Sequence, residues 1–215
     1  MFNCQAGFAI LATVMVLDKP RILQTALHLL DKAGLESLSM RRLADKLGVR
    51  ASALYWHFKN KQALLDAMGE AMSIPLTAGD LPDELDWDLW LDKIAKAWRQ
   101  AMLLHRDGAL VLTSVRPQSE HLVFMERLLA RLVAAGFTRT DALRGFYAVT
   151  NYVLGSALEE QRGPARRPRR KRGRSSKPGQ LFGASVAALS DRDATFEHGL
   201  GLILAGLRAQ LAGRK

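Results

Sequence analysis

The chain has 215 residues, long enough for two lobes on one helical framework, and its 48% apolar, 7% aromatic composition suits a soluble protein rich in Leu and Ala. A single cysteine, Cys4, excludes an intramolecular disulfide and a cysteine-based zinc site, and fits a reducing cytoplasm. The net charge of +10 does not describe a generally basic surface: nine of the 31 Lys and Arg fall between Arg162 and Lys177, and the 22 that remain face 21 acids.

Residues 1–14, MFNCQAGFAILATV, lack the basic leader of a signal peptide and are too short an apolar run to span a bilayer. Asp18 is placed to cap a helix reaching Ala33, with Pro20 tolerated in the first turn and Gly34 as the stop; Ile22, Leu23, Ala26, Leu27 and Leu30 give it one apolar face. Ser39 caps a second helix with Leu43, Ala44 and Leu47 inward and Gly48 at its end. Three residues later a third helix begins. Leu54 and Phe58 face inward, which leaves Tyr55, Trp56 and His57 outside beside Lys59 and Lys61, although the two large aromatics have a second reading as core residues of a small domain. A last helix from 60 to about 72 closes the domain, and the pair over 39–61 has the layout of a helix-turn-helix whose second helix enters the DNA major groove.

Beyond Asp86 the pattern changes to long amphipathic helices. The first, WDLWLDKIAKAWRQAMLLH, puts Trp90, Leu91, Ile94, Trp98, Ala101 and Met102 on one broad stripe. The segments SEHLVFMERLLARLVAAGF, DALRGFYAVTNYVLGSALEEQ and ATFEHGLGLILAGLRAQLAG continue it, with small residues in LGSAL and GLGLILAG permitting close helix contact. Between the last two, RGPARRPRRKRGRSSK reads as a basic loop over 162–180, either simply solvated or adding salt-sensitive, sequence-independent affinity for DNA.

The run LDKPRILQTALHLLDKAGLESLSMRRLADKLGVRASALYWHFKNKQALLDAM from Leu17, followed in order by HRDGA, VRP, AAGF and LGSALEEQ, resembles the TetR family of transcriptional regulators, and within it the tetracycline repressors. The resemblance implies an all-α homodimer in the cytoplasm, with no membrane association: a helix-turn-helix DNA-binding domain over 15–72, and a ligand-binding and dimerisation domain over 73–215 whose two carboxy-terminal helices pair across a four-helix interface. It also implies that the natural start is Met15 and residues 1–14 an extension. The implied activity is a repressor of a palindromic operator, released by a small molecule, with a neighbouring divergent gene as its target.

By the same resemblance Ser39, Arg41, Tyr55, His57 and Lys61 match positions that touch DNA, with Trp56 beside them. Arg41 can fork onto a guanine, whereas Tyr55 and Lys61 hold phosphates. At the start of the recognition helix the tetracycline repressors carry Gln, Pro and Thr, whereas this chain has Ala51, Ser52 and Ala53, so the operator is expected to differ. In the ligand domain the family's magnesium-binding histidine falls on Leu112, its asparagine on Ile94, its threonine on Val115, its glutamine on Leu128 and its phenylalanine on Trp98, while Arg116, Pro117 and Glu159 persist. Leucine offers a metal no lone pair, so the expected effector is apolar or aromatic and binds with no magnesium and no other cofactor. Arg116 and Glu159 have a second reading, as groups that cap helices or pair with each other; loss of ligand control is a third.

Two functions of other classes compete. A small helical hydrolase would draw on His105, Asp107, His121 and Glu159, but no histidine pair has ligand spacing and no nucleophile motif is present, so no enzyme is expected. A non-specific nucleic-acid binder would be driven by the Arg-rich segment and lose its affinity when 162–177 is deleted.

Overall fold

The computed structural model describes residues 17–73, 85–116, 119–162 and 189–213, without the side chains of 73 and 119–121. Among these residues every regular element is helical: α1 Lys19–Ala33, a 3-10 turn Leu35–Ser37, α2 Met40–Leu47, α3 Ala51–Tyr55, α4 Lys61–Ser73, α5 Trp87–Leu104, α6 Gly108–Ser114, α7 Ser119–Ala134, α8 Arg139–Gln161 and α9 Arg192–Ala212. Residues 1–14 and the basic loop expected over 162–180, Arg162 excepted, lie outside the described residues.

Local chemistry sets the helix ends. Asp18 accepts the Arg21 amide at 2.9 Å with Pro20 in the first turn, and the Gly34 N–H donates back to the Leu30 carbonyl at 2.7 Å. Ser39 accepts the Arg42 amide at 3.2 Å, Asn60 the Ala63 amide at 2.8 Å, Thr138 the Asp141 amide at 3.2 Å, and Asp191 the Ala194 amide at 2.9 Å. Gly48 turns the chain out of α2 at φ 71°, a left-handed conformation that glycine adopts without penalty.

Two apolar cores result. Ile22, Ala26, Leu30, Leu43, Leu54, Phe58, Leu64 and Met68 fill the first, between α1 to α4. Trp90, Leu91, Ile94, Leu128, Phe146, Val149, Val153, Phe196 and Leu200 fill the second, between α5, α7, α8 and α9. Helix α6 joins them. Its Val111 is buried in the first core and its Ala109 in the second, so one short helix belongs to both domains.

Three features differ from the sequence reading. Helix α3 stops at Tyr55, and Trp56 and His57 follow in a turn closed by the His57 and Phe58 amides on the Leu54 carbonyl at 3.0 and 2.9 Å. Helix α6 was not anticipated, because GALVLTS is too short to show a period and is held by burial on two sides. The α5 stripe contains a charged residue, Arg99, only 6% exposed. The close contacts expected of small residues occur at Gly199, where an added Cβ would lie 2.2 Å from the Tyr152 hydroxyl, and at Gly145, 2.8 Å from Leu207; Gly155, Gly201 and Gly206 face open space.

Candidate functional site

The helix-turn-helix presents its polar and aromatic groups outward. Leu54 and Phe58 are buried on either side of the turn that carries Trp56, and this anchoring pushes Trp56 to 89% exposure and Tyr55 to 51%. The reading of these two as core aromatics is therefore corrected: the inward positions of the turn are already occupied by Leu54 and Phe58. Arg41, Lys59 and Lys61 are exposed, and His57 is half-buried. Ser39 spends one lone pair on the Arg42 amide, a bond that leaves its hydroxyl proton able to donate. At the tip of α3, Ala51 and Ala53 are partly packed and Ser52 is exposed, so Ser52 is the one hydroxyl of the three available to a base edge or phosphate.

In the second domain, Ile94 and Leu128 are 5% and 1% exposed within the same core, and Trp98 and Leu112 pack against it. The Trp98 ring stands 6.2 Å from Phe146, tilted by 36°. Val115 follows α6 and presses on α4 so closely that a Cβ on Gly69 would fall 2.1 Å from its Cγ2 and 3.5 Å from Leu112. The Arg116 amide donates to Asp66 of α4 at 3.1 Å, and Gln62, also on α4, donates to the Ser114 carbonyl at 2.7 Å and to Asp66 at 2.9 Å. Four of the expected ligand residues thus share one apolar region, and Val115 and Arg116 tie its edge to the DNA-binding domain. Pro117 lies outside the described residues. Glu159 stands apart, on the exposed side of α8, where it lines a cavity of about 310 Å³ with Asn151, Tyr152, Gly155, Ser156, Arg192 and Thr195.

Ile94, Leu112, Val115 and Leu128 bring carbon and no lone pairs. Among the described residues no three His, Cys, Asp or Glu side chains are grouped to hold a metal ion. The residues that a hydrolase would need do not form one site: His105 and Asp107 are engaged at the end of α1, away from Glu159. His105 Nδ1 is 3.1 Å from both oxygens of Asp31, Asp107 accepts the Leu35 amide at 2.9 Å, Glu159 faces the other cavity, and the His121 side chain lies outside the described residues.

Sequence reasoning missed a buried polar group with two carboxylate partners. Arg99 donates to Glu160 of α8 at 2.6 Å and to Asp193 of α9 at 2.7 Å, and its guanidinium lies 4.8 Å from the centre of the Phe196 ring. Burial disfavours its charge, but the hydrogen bonds to Asp193 and Glu160 outweigh that and raise its pKa above the ordinary arginine value. The signal was available: Ala95, Arg99 and Met102 follow one another at helical spacing on a buried face, and a buried arginine requires carboxylates from the helices packed on it.

Comparison with known proteins places both domains. Residues 22–68 match the family model for bacterial regulatory proteins of the tetR family, and residues 80–211 match that for the tetracyclin repressor-like C-terminal domain. The tetracycline repressor protein class C of Escherichia coli is 39% identical over 198 residues, covering 89% of this chain and 90% of that protein. The crystal structure of TetR from Acinetobacter baumannii AYE superposes with a TM-score of 0.75 at 35% identity, over 91% of this chain and 98% of the other. That of BioQ with its double-stranded DNA operator superposes with a TM-score of 0.65 at 31% identity, over 90% and 99%. Among the described residues no helix is long and apolar enough to cross a membrane.

Proposed function

The chain belongs to the tetR family of bacterial regulatory proteins, and from that premise we propose that it represses transcription in the cytoplasm by binding a palindromic operator as a homodimer. A small, mainly apolar effector that needs no metal ion releases it. The observation that carries the DNA-binding half is the end of α3, where Trp56, 89% exposed, and Tyr55, 51% exposed, belong to the same helix-turn-helix segment as the exposed Arg41 and Lys61. Two adjacent exposed aromatic rings beside polar and cationic groups form a patch of the kind that marks an interaction site. Ser39, Tyr55, His57 and Lys61 position the backbone, and Arg41 reads a base with Ser52 and the methyls of Ala51 and Ala53.

The outer faces of α8 and α9 support pairing of two copies. Tyr147, Leu143 and Leu202 are 52%, 39% and 62% exposed there, and Gly155, Gly201 and Gly206 leave room for a close approach. A two-fold pair sets its recognition helices about 34 Å apart, one turn of DNA. The effector enters where Ile94, Trp98, Leu112 and Leu128 meet, shifts α6 through Leu112 and Val115, and moves α4 through Gly69, so the two helices lose their spacing.

Selection from random duplexes by the full chain tests this. A dyad-symmetric sequence with half-sites one helical turn apart is expected, and deletion of 162–177 should leave that sequence selected while lowering affinity for unrelated DNA at low salt. Recovery of no common sequence, with all affinity lost on the deletion, would replace the proposal by a non-specific nucleic-acid binder driven by the Arg-rich segment.

A further inference from the structure

Helix α5 ends and α6 begins at a corner, HRDG, whose helix ends leave carbonyls and amides without partners in their own helices. One side chain from a third helix satisfies both. Gln161, the last residue of α8, donates from Nε2 to the carbonyls of Met102 at 2.7 Å and His105 at 2.8 Å, and accepts the Ala109 amide on Oε1 at 3.1 Å. Both donor protons of the amide are therefore used, and its oxygen is engaged as well.

The corner that Gln161 holds is the part of the second domain that sits on the end of α1. Asp31 receives the Arg106 amide at 3.1 Å and faces His105 Nδ1 at 3.1 Å, and Arg106 reaches the Lys32 carbonyl at 3.4 Å. Asp107 returns the exchange by accepting the Leu35 amide at 2.9 Å. The fit is tight on both sides. Asp107 adopts φ 56°, sparsely populated for a residue with a side chain. A Cβ on Gly34 would lie 2.7 Å from the Asp107 carboxylate and 3.2 Å from the Arg106 Nε. Glu160, next to Gln161, takes the Arg99 guanidinium that also fixes the start of α9. The last turn of α8 is thus bonded to α5, to α6 and, through Arg99, to α9.

We infer that Gln161 is a positioning residue for DNA binding, carrying displacement of α8 through the α5–α6 corner into α1 by a route separate from the α4–α6 packing. This rests on the ligand-responsive reading above. The buried Val149 and Val153 of α8 line the core where the effector is placed and lie about 18 and 12 Å along the helix from Gln161, so a shift made there reaches Gln161 as a rigid displacement. There it pulls on two carbonyls and one amide of the corner, and Asp107 transmits the pull to the Leu35 amide.

The test compares the full wild-type chain with Gln161→Ala and with Gln161→Glu, which keeps the size and the acceptor but loses both donors. The readout is amide hydrogen exchange, needing neither operator nor effector. The expected result is exchange about tenfold faster in Gln161→Ala at Leu35 as well as at Ala109, and no change at Val49, whose amide bonds the Ala44 carbonyl inside the first domain. Exchange at Leu35 is expected to be faster than wild type in Gln161→Glu too, because its carboxylate repels the two carbonyls to which the amide donated. Faster exchange at Ala109 with Leu35 unchanged would make Gln161 a local cap and overturn the inference. Should Gln161→Ala fail to fold, Gln161→Glu alone decides by the same comparison of Leu35 with Val49. Affinity for a duplex selected by the wild-type chain is the second readout, expected to change about fivefold or more in the variant while α3 is intact. If exchange behaves as expected and no duplex is ever selected, the coupling of Gln161 to α1 stands while its role in DNA binding falls with the operator reading; if a duplex binds wild type and Gln161→Ala alike and Leu35 is unmoved, the positioning role falls alone.

Discussion

Arg99→Ala is expected to lower the free energy of unfolding by about 3 kcal/mol, measured by denaturant titration, because it removes the one charged side chain buried among the described residues. The guanidinium is 6% exposed and its two carboxylate partners come from different helices, so its removal breaks α5–α8 and α5–α9 at once. Glu160 is left with its side chain 30% exposed and no cation, and a cavity opens against Phe196. The figure stays at the low end of the range for broken buried pairs because the Asp193 side chain is 84% exposed and regains water. Arg99→Lys should recover part of the loss. A lysine keeps the charge but has no fork, so it can serve Glu160 or Asp193 and not both at the present geometry.

On a selected operator, Arg41→Ala and Lys61→Ala are expected to fail in different ways. Loss of a bidentate contact to guanine costs about 1–3 kcal/mol at one base pair and leaves other positions as they were, so Arg41→Ala should relax the preference at a single position of each half-site. Lys61 is exposed at the first residue of α4, where a phosphate contact is sequence-independent. Lys61→Ala should therefore weaken every duplex alike and reduce the salt slope by about 1. Binding curves for wild type and both variants against matched and single-mismatch duplexes at several salt concentrations separate the two roles. A uniform loss from Arg41→Ala would move it to the backbone contacts.

The first domain was legible in the sequence because its signals are local. Asp18, Ser39 and Gly48 are caps whose chemistry acts within four residues, and the pair Leu54 and Phe58 fixes which side of the turn is inward. The length of α3 was not, since the turn at Trp56 is set by how Phe58 returns to the core. The long helices of the second domain were visible from their apolar period, but α6 and the polar contacts between helices were not. Helix α6 is only seven residues long and exists because Val111 and Ala109 are buried in different cores. Gln161 and Asp31 look like ordinary surface residues in sequence, and their partners are 56 and 74 positions away. The expected ligand residues Ile94, Trp98, Leu112 and Leu128 do assemble, because each lies on the inward stripe of its helix, whereas Glu159 falls on the opposite side of α8 from the buried Val153 and Ala157.

The proposal of an apolar effector rests on Ile94, Leu112, Val115 and Leu128, which by resemblance stand where the tetracycline repressors carry polar side chains. Calorimetric titration of the purified full chain with tetracycline plus magnesium, beside a panel of apolar aromatic compounds without metal, addresses it directly. Heat of binding is expected from members of the apolar panel, with the chain then leaving its selected operator, and none from magnesium-tetracycline. Micromolar or tighter binding of magnesium-tetracycline would contradict the reading of Ile94, Leu112 and Leu128 and make the chain a tetracycline sensor.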